Sequence, residues 1–145
     1  MALLILLHVI GASVWLGGHL ILLLGFVPRA LRQNDPEIIR KFEEVYERIG
    51  IPALLLQIVT GVWMSEKYLG NLTDAFLFQS PMERYIAWKI ILIAVTVILA
   101  LHARLRIIPK LQSSNLRYLV VHITGITVIA LFMAFLGTGI RVGEW

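Results

Sequence analysis

The 145-residue chain has no cysteine and few charged residues. Without cysteine it forms no disulfide, offers no thiolate to a metal ion and has no cysteine nucleophile. Charged residues make up 15% of the sequence and hydrophobic residues 59%, whereas an average globular domain has about 25% and 45–50%. A soluble domain of this size has too little interior to bury so much apolar surface. We therefore expect much of the surface to face lipid.

Four long apolar segments predict an all-α integral membrane protein, folded as a single bundle of four transmembrane helices. A helix that rises about 1.5 Å per residue needs roughly 20 residues to cross the hydrocarbon core of a bilayer. The predicted spans are residues 2–28, 51–69, 85–103 and 118–140.

The stretch between the first two predicted spans has the pattern of an amphipathic helix. Asp35-Pro36-Glu37 predicts a helix start, because proline suits the first turn and acidic groups suit the positive end of the helix dipole. The apolar residues that follow share one face: Ile38, Phe42, Val45 and Ile49. We expect a short helix over residues 35–49 that lies on the membrane surface and is ended by Gly50 and Pro52.

The net charge of +4 is explained by where the cations lie. The links 29–50 and 104–117 contain nine of the 13 Lys and Arg residues. Because links rich in Lys and Arg face the cytoplasm, both chain termini are expected outside. The basic charge thus reflects topology and indicates no nucleic-acid partner.

The four histidines are the strongest remaining nitrogen ligands, and all lie within or at the ends of predicted spans. His8 and His19 are eleven residues apart, so they share one helix face, about 16 Å apart along the axis. His102 and His122 lie near the inner ends of the third and fourth spans, at the depth of His19. Polar side chains inside a membrane are costly and usually functional. The pattern predicts a cofactor or metal site at two depths.

Several ligand chemistries fit these residues. Neutral imidazole suits haem iron, copper and zinc, and the thioether of Met133, at the depth of His8, would favour Cu(I) or haem. Our first expectation is one or two b-type haems, the inner one held by His19 with either His102 or His122. The outer haem would use His8 with Met133 or with a partner that the sequence does not identify. Copper is the alternative.

Cations near the two levels suit anionic groups. Arg29, Arg104 and Arg106, near the inner level, could pair with haem propionates. Lys89, inside the outer end of the third predicted span, could lie beside a buried anionic group near His8 or could extend to the interface.

Short motifs along the first two thirds of the chain resemble a known family. The first predicted span runs from His8 through Trp15 to Gly17-Gly18 and is followed by Pro28-Arg29. Later motifs are Thr60-Gly61, Tyr85-x-x-x-Lys89 and a polar end at His102. These segments resemble the copper-resistance D (CopD) family, and the same positions are similar to the HemJ-type protoporphyrinogen oxidases. The resemblance implies that His8 is a haem or metal ligand and that Lys89 lies near the cofactor or substrate.

Three functions are compatible with this sequence. The first is a b-type cytochrome in transmembrane electron transfer, and thus a redox protein or an oxidoreductase subunit. Its partner would be a redox protein, a quinone or a larger membrane complex. The second is a CopD-like copper binding or transport protein. The third is a HemJ-like haem-containing protoporphyrinogen oxidase. In each case the expected location is a bacterial or archaeal inner membrane.

Overall fold

The computed structural model describes residues 1–142, with side chains to residue 139, and that part is helical without a strand. Four helical stretches are long and apolar enough to cross a membrane. In chain order, the first to fourth spans are Ala2–Gln33, Glu37–Leu69, Pro81–Lys110 and Leu116–Gly139. The last helix continues to Val142, and a 3₁₀ segment, Leu72–Leu77, joins the second and third spans. The prediction of an all-α integral membrane bundle is confirmed.

The first span is longer than predicted, because Pro28 does not end it. An α-helix over Ala2–Ile21 continues through a π-helical turn, Leu22–Phe26, into a last α-helical piece, Val27–Gln33. Pro28 lies in the first turn of that piece, where its missing N–H costs little. The helix ends instead at Asn34, whose φ of 50° is left-handed.

The predicted surface helix over residues 35–49 and the separate span over 51–69 are wrong as two elements. They form one 33-residue helix, Glu37–Leu69, with Pro52 inside it. Pro52 removes one backbone hydrogen bond. Because each further unpaired N–H or C=O in lipid would cost roughly several kcal/mol, the helix continues on both sides of Pro52. The first turns of this helix belong to the bundle, since Ile39 is fully buried in a core cluster with Leu22 and Ala30.

The third span also extends past its predicted ends at both sides. It begins at Pro81, because the Ser80 hydroxyl accepts the Glu83 N–H at 3.2 Å and the Glu83 carboxylate accepts the Ser80 N–H at 3.3 Å, which together cap the helix. At the other end a π-helical turn, Ala103–Ile107, leads into a 3₁₀ turn, Ile108–Lys110. The fourth span begins at residue 116, two residues before its predicted start.

The first and fourth spans form the middle pair of the bundle. The first span packs closely on the second and fourth spans, and the third span packs on the fourth, whereas the second and third spans touch only sparsely. Each span also exposes large apolar side chains toward lipid: Leu24, Val59, Ile98 and Val121 are 71%, 60%, 65% and 66% exposed. The bundle is therefore open along the line between the second and third spans.

Candidate functional site

Two histidines from neighbouring helices form a direct pair. Nδ1 of His102 lies 3.0 Å from Nε2 of His122, and the two rings stack with centroids 5.1 Å apart. Nδ1 of His122 lies 3.1 Å from the carbonyl oxygen of Tyr118. Because a carbonyl only accepts, that nitrogen carries a proton, so neutral His122 accepts the Nδ1–H of His102 at its Nε2. We call these two residues the histidine pair.

The histidine pair has the donor set of a metal site. Two imidazole nitrogens that bind one tetrahedral ion at about 2.0–2.1 Å lie roughly 3.3 Å apart, close to the 3.0 Å observed here. Metal-binding histidines usually donate their other ring N–H to a carbonyl or carboxylate, which fixes the ring, and the Tyr118 carbonyl does this for His122. A metal ion could thus replace the shared proton after a small movement.

His19 is held in the same way as His122. Its Nδ1 lies 2.9 Å from the carbonyl oxygen of Trp15, four residues earlier, so Nδ1 carries the proton and Nε2 keeps its lone pair. Among the residues described, none donates a hydrogen bond to this Nε2. The ring is 6% exposed and lies 4.4 Å from the Trp15 ring and 5.7 Å from the Tyr46 ring, centroid to centroid.

Tyr46 completes the surroundings of His19, although sequence reasoning gave it no role. Its hydroxyl donates to the carbonyl oxygens of Val14, at 3.2 Å, and Trp15, at 3.0 Å. Its ring fills the space beside Gly18 and Gly50, where a Cβ would collide with ring atoms. The space beside these two glycines is thus taken by an aromatic ring of the chain itself. A second helix continuous through Pro52 places Tyr46, Gly50 and residues 53 and 57 on one face, which is the signal that was missed.

A cavity of about 90 Å³, partly open at the surface, is lined by both His19 and His122. Trp15 and residues of the second, third and fourth spans supply the rest of its wall, among others Glu43, Tyr46, Glu47, Ala100, Arg104, Leu119 and Ile126. Glu47 and Arg104 form an ion pair with side chains 33% and 46% exposed, whereas His19 and His122 are 6% and 9% exposed. We call this ion pair the mouth of the cavity, because its side chains are much more exposed than the two histidines.

The polar lining of the cavity is incompletely hydrogen-bonded. Nε1 of Trp15 is buried without an acceptor among the residues described. Glu43 adds a second carboxylate close enough to interact with Arg104. His102 does not line this cavity and reaches it only through His122. Of the two partners left open for His19 in the sequence, the structure therefore brings His122 nearer to it.

His8 lies in a separate cluster with residues of all the other spans. The hydroxyl of Thr60 donates to the carbonyl of Leu56 at 2.6 Å and so accepts the Nδ1–H of His8 at 3.0 Å. Lys89 is close enough to His8 to interact with it electrostatically, and its Nζ lies against Gly137. The structure thus brings His8 and Lys89 together and keeps them apart from the histidine pair.

The other residues expected at the site are more dispersed. Met133 is 6% exposed in the fourth span, and its role as an outer ligand stays a prediction. Arg29 and Arg106 are exposed, and Arg104 is paired with Glu47. Within residues 1–139, no three His, Asp or Glu side chains lie close enough together to hold a metal ion.

Comparison with known proteins gives one finding. A family model described as CopD, copper resistance protein D, matches residues 40–139. The match includes the histidine pair and the carboxylates of the cavity, and it begins after His8 and His19. Neither the curated proteins nor the solved structures contain a match to this chain.

Proposed function

The chain belongs to the copper resistance protein D (CopD) family, and on that premise we propose that it binds copper within the membrane and passes it on. The observation that carries the proposal is the histidine pair, in which two imidazole nitrogens face each other at 3.0 Å. Both histidines lie inside the matched residues. Copper is here the cargo, and His102 and His122 are the residues that would hold it.

The chemistry of the pair suits copper and suits release. Imidazole is a common copper ligand, and the Tyr118 carbonyl keeps the His122 ring turned toward His102. No third His, Asp or Glu side chain within residues 1–139 completes the set. Permanent structural sites are closed by four protein ligands, whereas transport needs binding that is weak enough to let the ion leave. Two imidazoles alone therefore favour a transient site.

The same findings favour copper over the haem that was our first expectation. The family is described by copper resistance, and the Tyr46 ring fills the space beside Gly18 and Gly50, next to His19. Nε2 of His122 is already engaged by His102. The protoporphyrinogen oxidase alternative depends on His8 and Lys89, and the comparisons add no support to it.

The location and orientation are part of the proposal. The links between the first and second spans and between the third and fourth spans carry most of the Lys and Arg residues. If they face the cytoplasm of a bacterium or archaeon, the histidine pair lies in the cytoplasmic half of its inner membrane, with both termini outside. Copper would then bind closer to the cytoplasmic side.

The test is Cu(I) binding by the purified protein in detergent, measured by competition with a coloured Cu(I) chelator. His122→Asn is the useful variant, because Asn keeps a donor for the Tyr118 carbonyl and removes Nε2. We expect one Cu(I) per chain and a loss of affinity of at least ~10-fold in His122→Asn. His8→Asn, the same change in the separate cluster, serves as the control and should bind like the wild type.

X-ray absorption supplies a second readout and should show imidazole nitrogens around the copper that are lost in His122→Asn. Two results would overturn the proposal. One is Cu(I) affinity that His122→Asn leaves unchanged. The other is a purified protein with a Soret band and stoichiometric haem.

A further inference from the structure

We infer that His19 is a transient copper ligand on the route between the mouth and the histidine pair. This inference rests on the proposed function and adds to it a path through the cavity. His19 and His122 line the same cavity, and His102 lies behind His122. An ion in the cavity is therefore within reach of His19 as well as of the histidine pair.

The first argument is the preparation of the His19 ring. His19 and His122 both donate Nδ1–H to the carbonyl four residues earlier, at 2.9 and 3.1 Å. This bond fixes the tautomer and leaves Nε2 as the ligand nitrogen. In His122 that nitrogen is taken by His102, whereas in His19 no described residue takes it. His19 lines the cavity, so an Nε2 without a partner among the described residues is available to an ion there.

The second argument is the continuity of the cavity. Its wall runs from the half-exposed ion pair of Glu47 and Arg104 to the buried rings of His19 and His122. Glu43 lines the same cavity and is close enough to Arg104 to interact with it, so polar groups continue from the ion pair toward the two histidines.

The third argument concerns the packing of His19 against aromatic rings. Trp15 lies 4.4 Å away and Tyr46 lies edge-on at 5.7 Å, centroid to centroid. The face of an indole attracts a cation held nearby. Tyr46 also donates to the Trp15 carbonyl that holds His19, so the ring is fixed from two sides. Such fixing limits the reorganisation needed each time an ion binds and leaves.

The experiment distinguishes a transient ligand from the site that sets the equilibrium affinity. Cu(I) is delivered as its chelator complex to the intact protein in detergent, and the rates of loading and of removal by excess chelator are measured with the equilibrium affinity. His19→Asn keeps a donor for the Trp15 carbonyl and removes Nε2. We expect both rates to fall by at least ~10-fold while the affinity, which the histidine pair sets, stays the same.

Two further variants keep the result open to refutation. His19→Met restores a soft ligand of similar length and should recover both rates if His19 acts by binding copper. His8→Asn, on the same helix and outside the cavity, should leave both rates at the wild-type value. Wild-type rates in His19→Asn would overturn the inference, and so would slow rates that His19→Met does not recover. Unchanged affinity in His122→Asn would instead overturn the proposed function.

Discussion

The close approach of Gly18 to Tyr46 predicts different effects for the same substitution at two neighbouring residues. A Cβ at Gly18 would fall inside the Tyr46 ring, whereas a Cβ at Gly17 would meet nothing within 4 Å. Both glycines lie in the same α-helix, so the gain in helix propensity from Gly→Ala is equal at the two positions. Gly17→Ala is therefore a matched control for Gly18→Ala.

The expected loss of stability in Gly18→Ala follows from the displacement of the Tyr46 ring. Forcing extra volume into a packed site costs about 1–3 kcal/mol, and displacing the Tyr46 hydroxyl weakens the hydrogen bond that its single O–H shares between the Val14 and Trp15 carbonyls, worth about 0.5–1.5 kcal/mol. The propensity gain offsets about 1 kcal/mol. We expect Gly18→Ala to lower the free energy of unfolding by roughly 1–3 kcal/mol and Gly17→Ala to leave it unchanged or raise it by up to about 1 kcal/mol.

The assay is unfolding in mixed micelles of a mild detergent and dodecyl sulfate, followed by far-ultraviolet circular dichroism. Replacing Tyr46 by Leu removes the collision, so Gly18→Ala should cost less in that background, and the cycle isolates the contact. Equal stability of Gly17→Ala and Gly18→Ala would refute the packing of Tyr46 on the first span. So would a cost of Gly18→Ala that Tyr46→Leu leaves unchanged.

Two further substitutions test other features of the fold by the same unfolding assay. Thr60→Val removes the hydroxyl that accepts the Nδ1–H of His8 and should cost about 0.5–1.5 kcal/mol. Thr124→Val, at an exposed residue that bonds only within its own helix, should change stability by less than about 0.5 kcal/mol. Equal effects would show that the His8 bond is absent. Pro52→Ala should raise the free energy of unfolding by up to about 3 kcal/mol, because Pro52 is exposed inside a continuous helix. Pro81→Ala, at a first turn where proline is tolerated, should change it little, and a Pro52→Ala effect no larger than this would argue for two separate helices.

The number and type of the spans could be predicted from the sequence, because a bilayer sets the length of an apolar helix. The bounds could not. Pro28 and Pro52 read as helix ends under the rules for helices in water, yet each lies inside a helix of the structure. In lipid the backbone has no other source of hydrogen bonds, so the helix persists around a proline.

The candidate site, like the spans, could be predicted from the sequence only in part. The depth of each histidine follows from its position along a span, so sequence could place His19, His102 and His122 at one level. Which of these histidines come into contact depends on how each helix is rotated and on which helices are neighbours. The hydropathy pattern determines neither. The alternatives left open were His19 with His102 or with His122, and for that reason the pairing of His102 with His122 was not predicted. Tyr46 was missed because the assumed break at Gly50 removed its part of the chain from the bundle.

The π-helical turn at Leu22–Phe26 amounts to one inserted residue in the first span. Before it the inward-facing residues include Trp15 and Leu22, and after it the next is Val27, five residues on, as the wider turn requires. The insertion shifts the phase of every later position by about 100°, which is why Arg29 is exposed. Deleting one residue from this turn would restore a regular helix and rotate the end of the span, so that its apolar face no longer matched the bundle.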